Sequence, residues 1–447
     1  MPVLDKPIPH SHSAWRRKFV SNPEPMRGAF FWLSAFYVVY CARPEDWIPG
    51  LKYIPLAKIS GLFALIGLVF SAGRSKRSFR DLPREAYYLL ALIGFLVIAG
   101  VFSPVWKGGA LVKTVEFSKI LVAWVLTFIV ISSFDRLRRI IYIQSASVAA
   151  VAVLSLLKGR DHPRLEGVIG GIYSNPNDLA FAIVLSLPFC VAFFLNTKNL
   201  ARKAAWIAVM LAMCTALFLT ASRGGFITLL ATAAVGLWHF GVKGKRPQLI
   251  AAAALVALVV GVSAGGRLKD RFFAISGDDL SDPLDVSAHG SFEQRRELME
   301  KSLEGVASYP VGIGLGNFPN YSGTWREVHV AYLQIAVEGG IGACIFYLLF
   351  FARGFANLRQ IRRMGGHEEG TLLFAGALHS SLIGFVVGAL FAPEAYQFFP
   401  YFAVAYTSAL LAIATEKAQA QGAVVDAAEG PSWKRRFVRA GNLTSVR

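Results

Sequence analysis

Cysteine and acidic side chains are scarce in this chain. Of its 447 residues only Cys41, Cys190, Cys214 and Cys344 are cysteines, far apart and each within or beside an apolar run. No Cys-x-x-Cys pair occurs, which excludes the common zinc and dithiol redox motifs and leaves the cysteines as packing residues. Asp and Glu total 28 against 46 Lys and Arg, a formal charge of +18. The acidic cluster Asp278, Asp279, Asp282 and Asp285 lacks EF-hand spacing and reads as a solvated loop. The glycines of VGIGLGNF (Gly312, Gly314 and Gly316) are followed by Asn317 where a dinucleotide fingerprint needs its last glycine, and no strand-helix context surrounds them. No internal repeat is visible, and no cleavage pattern marks the first apolar run as a removable signal.

Long apolar runs are what the sequence has in abundance. Hydrophobic residues make up 55% of the chain and the mean hydropathy is +0.49, more than a soluble protein of this size hides in a core. Reading runs of roughly 18 or more residues as spans gives about twelve. They fall near 28–42, 54–72, 86–103, 112–132, 139–157, 178–195, 204–221, 224–241, 248–265, 331–351, 371–391 and 396–414. The expected fold is an all-α polytopic membrane protein. Its parts are an N-terminal tail (1–27), a first block of helices (28–265), one long polar loop (266–328), a second block (329–415) and a C-terminal tail (416–447).

The positive charge invites a nucleic-acid reading, but its distribution argues for a membrane. Basic residues collect in alternate connections: Arg16, Arg17, Lys18 and Arg27; Arg74, Lys76, Arg77, Arg80 and Arg84; Arg136, Arg138 and Arg139; Lys198, Arg202 and Lys203; Lys243, Lys245 and Arg246; Arg353, Arg359, Arg362 and Arg363; Lys434, Arg435 and Arg436. The positive-inside rule puts these connections and both termini in the cytoplasm, with the long loop outside.

Polar residues of uncommon kind remain on the outer side. In RLEGVIGGIYSNPNDLAF, Ser174, Asn175, Pro176 and Asn177 have the chemistry of a turn and a helix cap, whereas Arg164 runs against the charge bias of that side. In TASRGGF, Arg223 occupies a turn of a few residues whose reversal Gly224 and Gly225 would permit; snorkelling to water and anion binding both fit it. In SFEQRRELMEKSLEGVASYP, Phe292, Met299, Leu303 and Val306 form a helical stripe. Arg295 and Arg296 lie along the same side, with Glu293, Glu297, Glu300, Lys301 and Glu304 opposite. An amphipathic helix lying on the membrane would press both guanidiniums toward the interface. Finally, His329 stands where the loop re-enters an apolar helix bearing Tyr332 and Glu338. Glu338 is nine residues on, two and a half turns away, which suits packing or an interior polar contact better than contact with His329. His10 and His12 fall in the N-terminal tail, and His379 inside a span suits a buried polar contact.

The order of these elements resembles the O-antigen ligase family, related to the O-antigen polymerases. Arg-x-x-Gly and Asn-Pro-Asn precede a span, SRGG lies between two spans, an Arg-x-Glu-Leu helix leads into YPVGIGLGNF, and a histidine is followed by YLQIAVEGGIG. The resemblance runs from the RPEDWIPG loop near Arg43 to the last spans. It departs at Val330, where Asn commonly follows the histidine, and at Met299, where Trp is common. It implies a GT-C-like glycosyltransferase of a Gram-negative inner membrane, its active site facing the periplasm. Such an enzyme moves a glycan en bloc from undecaprenyl diphosphate to an acceptor hydroxyl on lipid A core, protein or a growing glycan, with inversion. His329 maps to the family's base, and Arg223 and Arg295 to its arginines. Arg164 joins them as a diphosphate ligand on physical grounds, with Arg296, Asn177, Tyr332 and Glu338 in support. Neither metal nor cofactor is implied, and the arginines would supply the positive charge. Two classes compete: a transporter or flippase, which should carry ionisable groups at mid-membrane on broken helices rather than arginines around one external loop, and a non-catalytic assembly subunit.

Overall fold

The computed structural model describes residues 26–71, 73, 77–158, 164–167, 173, 175–254, 283–324, 326–365 and 368–429. A bilayer core offers no water to backbone amides and carbonyls, so a spanning segment must satisfy them internally, and helices do. The principal helices are α1 (Arg27–Ala42), α2 (Leu56–Phe70), α3 (Arg84–Val101), α4 (Lys107–Val130), α5 (Phe134–Lys158), α6 (Pro176–Asn196), α7 (Leu200–Leu219), α8 (Arg223–Val242), α9 (Pro283–Ser308), α10 (Ala331–Met364), α11 (Glu369–Gly388) and α12 (Phe398–Glu429). No strand occurs among the described residues.

Among the described residues, eight helices are long and apolar enough to cross a membrane: α3, α5, α6, α7, α8, α10, α11 and α12. The apolar α1 and α2 are shorter. Helix α4 has the length, at 24 residues, but carries Lys113, Glu116 and Lys119. Every expected span coincides with a helix except the ninth, whose residues from 255 onward lie outside the described residues, as do Asp278, Asp279, Asp282, His10, His12 and Ser174. The tail expected from residue 416 instead begins as helix, because α12 continues to Glu429.

Consecutive helices reverse, so the connections fall at two ends of the bundle. At one end Leu165 donates to the Leu219 carbonyl at 2.9 Å, Ala331 to that of Ala389 at 2.8 Å, and the Tyr173 hydroxyl to that of Cys41 at 2.8 Å. The basic connections meet at the other end, in the ion pairs Arg77–Glu416 (2.7 Å), Arg246–Glu369 (2.5 Å) and Lys417–Glu368 (2.5 Å). Between the two ends α3 runs along α10, α11 packs on α6 and α8, and α12 lies against α10 and α4. Small residues permit these approaches: Gly384 and Gly388, one turn apart on α11, face Thr232 of α8 and Phe181 of α6 with no room for a β-carbon. Aromatic rings fill the centre, with Phe351 and Phe385 at 4.5 Å and Phe350 and Tyr401 at 5.3 Å between centroids.

Helix α10 is broken near its start. Gly340 adopts φ 79°, ψ 176°, a conformation reserved for glycine. The break frees the carbonyls of Val337 and Glu338, which accept the amides of Ile313 and Gly314 at 2.9 Å each, while Ile341 donates to the Pro310 carbonyl at 3.0 Å. The glycine-rich loop that carries no nucleotide fingerprint is thus a plug for this break, turned by Gly312, Gly314 and Gly316 at φ 99°, 91° and 72°.

Helix α9 buries a face other than the expected one. Leu298 and Ser302 are buried and Arg295 half-buried, whereas Met299 and Leu303 are 42% and 53% exposed. Positions 295, 298, 302 and 305 form one helical side, and α9 sets that side on α10 instead of lying flat. Arg296, one residue or about 100° around, points to water and pairs with Glu300 at 3.0 Å, so it does not join Arg295. The side chain of Phe292 lies outside the described residues.

A β-carbon at Gly340 would meet the Val311 carbonyl carbon at 2.5 Å. Gly340→Ala should therefore cost at least about 2 kcal/mol of stability. Gly94→Ala, where a β-carbon meets nothing within 4 Å, should cost none. Thermal unfolding of the detergent-solubilised variants checks both; an unaltered midpoint for Gly340→Ala contradicts the plug.

Candidate active site

Two helix N-termini define one wall of the site. Helix α6 is capped by Asn175, whose side chain accepts the Asn177 amide at 2.9 Å with Pro176 in the first turn; helix α8 is capped by Ser222, which accepts the Gly225 amide at 3.1 Å. The caps are joined, because the Ser222 hydroxyl donates to Asn177 Oδ1 at 2.8 Å. Arg164 completes the joint: its Nε donates to the Thr220 carbonyl at 2.9 Å and a terminal nitrogen to Asn177 Oδ1 at 3.2 Å. Arg164 and Asn177 thus hold the α7–α8 turn against α6, and Arg223 follows directly as the first residue of α8. The reversal before Arg223 is made by Ala221, at φ 49°, and not by the glycines. Gly224 and Gly225 sit inside the first turn of α8, where β-carbons would lie 2.8 Å from the Phe391 and Ala180 β-carbons. Their smallness, rather than their conformational freedom, is what the fold uses.

The opposite wall is built on the start of α10. Leu298, Ile313, Phe318, Val328 and Val337 form a separate small core that fastens α9 and the plug loop to α10. Lys301 Nζ donates to the Ser322 carbonyl at 2.9 Å. This core carries Arg295 of α9 up to His329. The Arg295 Nε is buried with no hydrogen-bond partner, and burial alone lowers its guanidinium from the ordinary value. His329 Nδ1 is likewise buried and unpartnered. Burial, then the charges of Arg295 and Arg326, push the imidazole down to about 4, so it is neutral at pH 7. Arg326 itself donates to Gln294 of α9.

A single loop joins the walls. Ala331, two residues past His329, bonds to Ala389, and Phe391 two residues further covers Gly224 beside Arg223. Arg164, Asn177, Arg223, Arg295 and His329 therefore share one end of the bundle. Tyr332 and Glu338 face elsewhere. The Tyr332 hydroxyl donates to the Val386 carbonyl of α11 at 2.8 Å, and Glu338 is buried beneath the plug, its Oε1 3.5 Å from the Phe318 amide. Among the described residues, His379 meets His239 at 3.0 Å, and Arg362 reaches the same His239 nitrogen at 3.0 Å.

Sequence reasoning missed Glu394 and Asp178. Glu394 is 4% exposed in the α11–α12 loop and shares a hydrogen bond with Asp178 in the first turn of α6, around a cavity of about 10 Å³, room for one water. Burial, then Asp178, raises the Glu394 carboxyl well above the ordinary value, so it holds its proton and clamps the loop to α6. A carboxyl in the short loop between two spans, residues 389–397, was the available signal. Asn317 was passed over as well: its Nδ2 donates to Ser103 Oγ (2.9 Å), the Ile313 carbonyl (2.9 Å) and the Trp106 carbonyl (3.1 Å), tying the plug to the α3–α4 turn.

Residues 207–348 match the family model described as O-Antigen ligase. Over this segment the chain is similar to the O-antigen ligase family. No curated protein matches it. The matched segment contains Arg223, Arg295 and His329, whereas Arg164, Asn177 and Glu394 lie outside it, Asn177 on α6 and the other two in connections, and complete the same end of the bundle. The likeness over this segment and the eight apolar helices among the described residues support a multi-pass membrane protein.

Because Glu394 is protonated in the fold and ionises near 4.5 when unfolded, its contribution to stability is full below that value and is lost as pH rises toward its folded pKa. The wild-type thermal midpoint should decline as pH rises above about 4.5 more steeply than that of Glu394→Gln, which keeps the neutral shape. Parallel slopes would remove the clamp.

Proposed function

We propose that this membrane glycosyltransferase of O-antigen ligase and polymerase type transfers a glycan en bloc from undecaprenyl diphosphate to an acceptor hydroxyl, with His329 as base. One observation carries the reading: a half-buried guanidinium, Arg295, stands beside a neutral histidine with its Nε unpartnered. An uncompensated buried cation is costly, and a diphosphate of opposite charge relieves that cost. Guanidiniums match phosphate oxygens bidentately, and the N-termini of α6 and α8 add their dipoles on the same side. A polyprenyl tail in lipid delivers its diphosphate to this depth. Arg223 and Arg295 hold the diphosphate, while Arg164, engaged by Thr220 and Asn177, sets the turn that presents Arg223.

In the transfer, the acceptor hydroxyl oxygen attacks the anomeric carbon and the carbon–oxygen bond to the diphosphate breaks. That electron pair leaves with undecaprenyl diphosphate, where the arginines stabilise the added charge. The hydroxyl proton passes to the His329 imidazole, and a single displacement inverts the anomeric centre. Burial, and after it the facing charges of Arg295 and Arg326, leaves His329 weakly basic. A bound diphosphate offsets those charges and raises its basicity as the donor arrives. The reaction is common to acceptors on lipid A core, on a growing glycan and on protein. The basic end of the bundle lies in the cytoplasm, which turns the site to the periplasm.

His329→Ala should retain expression and donor binding while transfer falls by roughly 10² to 10⁴ in kcat. Arg223→Lys and Arg295→Lys should also lose transfer, since a point charge does not replace the fork. The acidic limb of kcat/KM, set by the free enzyme, should lie below 6.5 and toward 4, with the limb of kcat higher. Near wild-type transfer by purified His329→Ala, or a kcat/KM limb at 6.5 or above, contradicts the assignment.

A further inference from the structure

A second polar site lies at the opposite end of the bundle. Glu85, at the start of α3, is 1% exposed and roughly 24 Å of helix away from Val101 at the site end, close to the thickness of a bilayer core. Beside it is a cavity of about 400 Å³ among α3, α4, α10 and α12. The Asn357 amide of α10, also 1% exposed, donates from Nδ2 to Glu85 Oε1 at 2.5 Å and to Ser408 Oγ at 3.1 Å. This leaves Glu85 Oε2 and Asn357 Oδ1, both lining residues' acceptors, buried without a partner. Arg353, 32% exposed, stands toward the rim with its Nε 3.9 Å from Glu85 Oε1, an ion pair too long for a hydrogen bond.

The other charged groups of the wall are already engaged. Arg77 pairs with Glu416 at 2.7 Å and donates to the Phe128 and Ile131 carbonyls at 2.9 Å each, and Asp81 accepts from the Ser78 amide and hydroxyl. What remains open is a deep pair of acceptors with a guanidinium above it. A bare anion meets the Glu85 carboxylate, and a divalent cation meets two arginines and one uncommitted carboxylate. A zwitterion with an N–H-bearing ammonium at its inner end and a phosphate at its outer end fits every open group.

We infer that this cavity binds a phosphoethanolamine headgroup, its ammonium on Glu85 Oε2 and Asn357 Oδ1 and its phosphate toward Arg353. At this level of the bundle the group is that of a phosphatidylethanolamine of the leaflet opposite the candidate active site; a water-soluble phosphoethanolamine compound has the same chemistry. This site is independent of the donor reading, since it shares no residue with it.

The test is native mass spectrometry and thermal unfolding of the full chain in acyl-matched lipids whose headgroup nitrogen carries none to three methyl groups. Wild type should retain phosphatidylethanolamine about ten-fold better than phosphatidylcholine, whose nitrogen has no N–H, with a stepwise loss along the series. Glu85→Gln and Asn357→Leu should bring the ratio close to one. Soluble glycerophosphoethanolamine provides the second arm: inertness identifies the lipid as the source, and competition at low concentration identifies a soluble one. Equal retention of all headgroups by wild type, with glycerophosphoethanolamine inert, overturns the inference without recourse to any variant.

Discussion

A helix inside a bilayer cannot leave its backbone unpaired, and the break at Gly340 makes that constraint act on everything around the site. The carbonyls it frees must be met, and the 310–314 loop meets them. Seating that loop fixes Asn317 on the α3–α4 turn and brings Phe318 and Ile313 into the small core under α9. Arg295 reaches His329 because α9 is held there. A discontinuous helix is also a feature of transporters, where opened backbone lines an ion path. Here the opened groups are consumed by the protein's own loop, which favours a static scaffold over a moving gate.

Electrostatics at this end are unbalanced in one direction. Arg223, Arg295, Arg326 and the starts of α6 and α8 supply positive potential, while the nearby Glu394 is kept neutral by burial first and then by Asp178 beside it. Protonation of Glu394 removes a charge that would otherwise oppose an incoming diphosphate. The lowered basicity of His329 comes first from burial and then from the same cations, Arg295 and Arg326. A donor carrying negative charge corrects both conditions at once.

The spans and the segregation of basic residues to one end were legible in the sequence because both are set by the bilayer, which acts on local composition. The Asn175 cap was legible too, being a local hydrogen bond. What escaped depended on which surfaces meet. Periodicity alone put Arg295 and Arg296 on one side and only the resemblance chose Arg295; their separation became physical once α9 was seen to pack on α10 through Leu298. The glycines of SRGG read as a turn, yet they serve contacts with Phe391 and Ala180, far onward and far back in the chain. Glu394 of the α11–α12 loop and Asp178 of α6 become a pair only after folding, as do Glu85 and Asn357 at the opposite end.

The central claim is that this end of the bundle breaks a glycan–diphosphate bond rather than carrying the lipid-linked glycan across the membrane. Purified wild-type protein in liposomes with lipid-linked glycan and an acceptor tests it most directly, by measuring free undecaprenyl diphosphate and glycosylated acceptor together. The account predicts the two in equal amounts, both dependent on His329. Passage of intact lipid-linked glycan between leaflets with no undecaprenyl diphosphate released would contradict it.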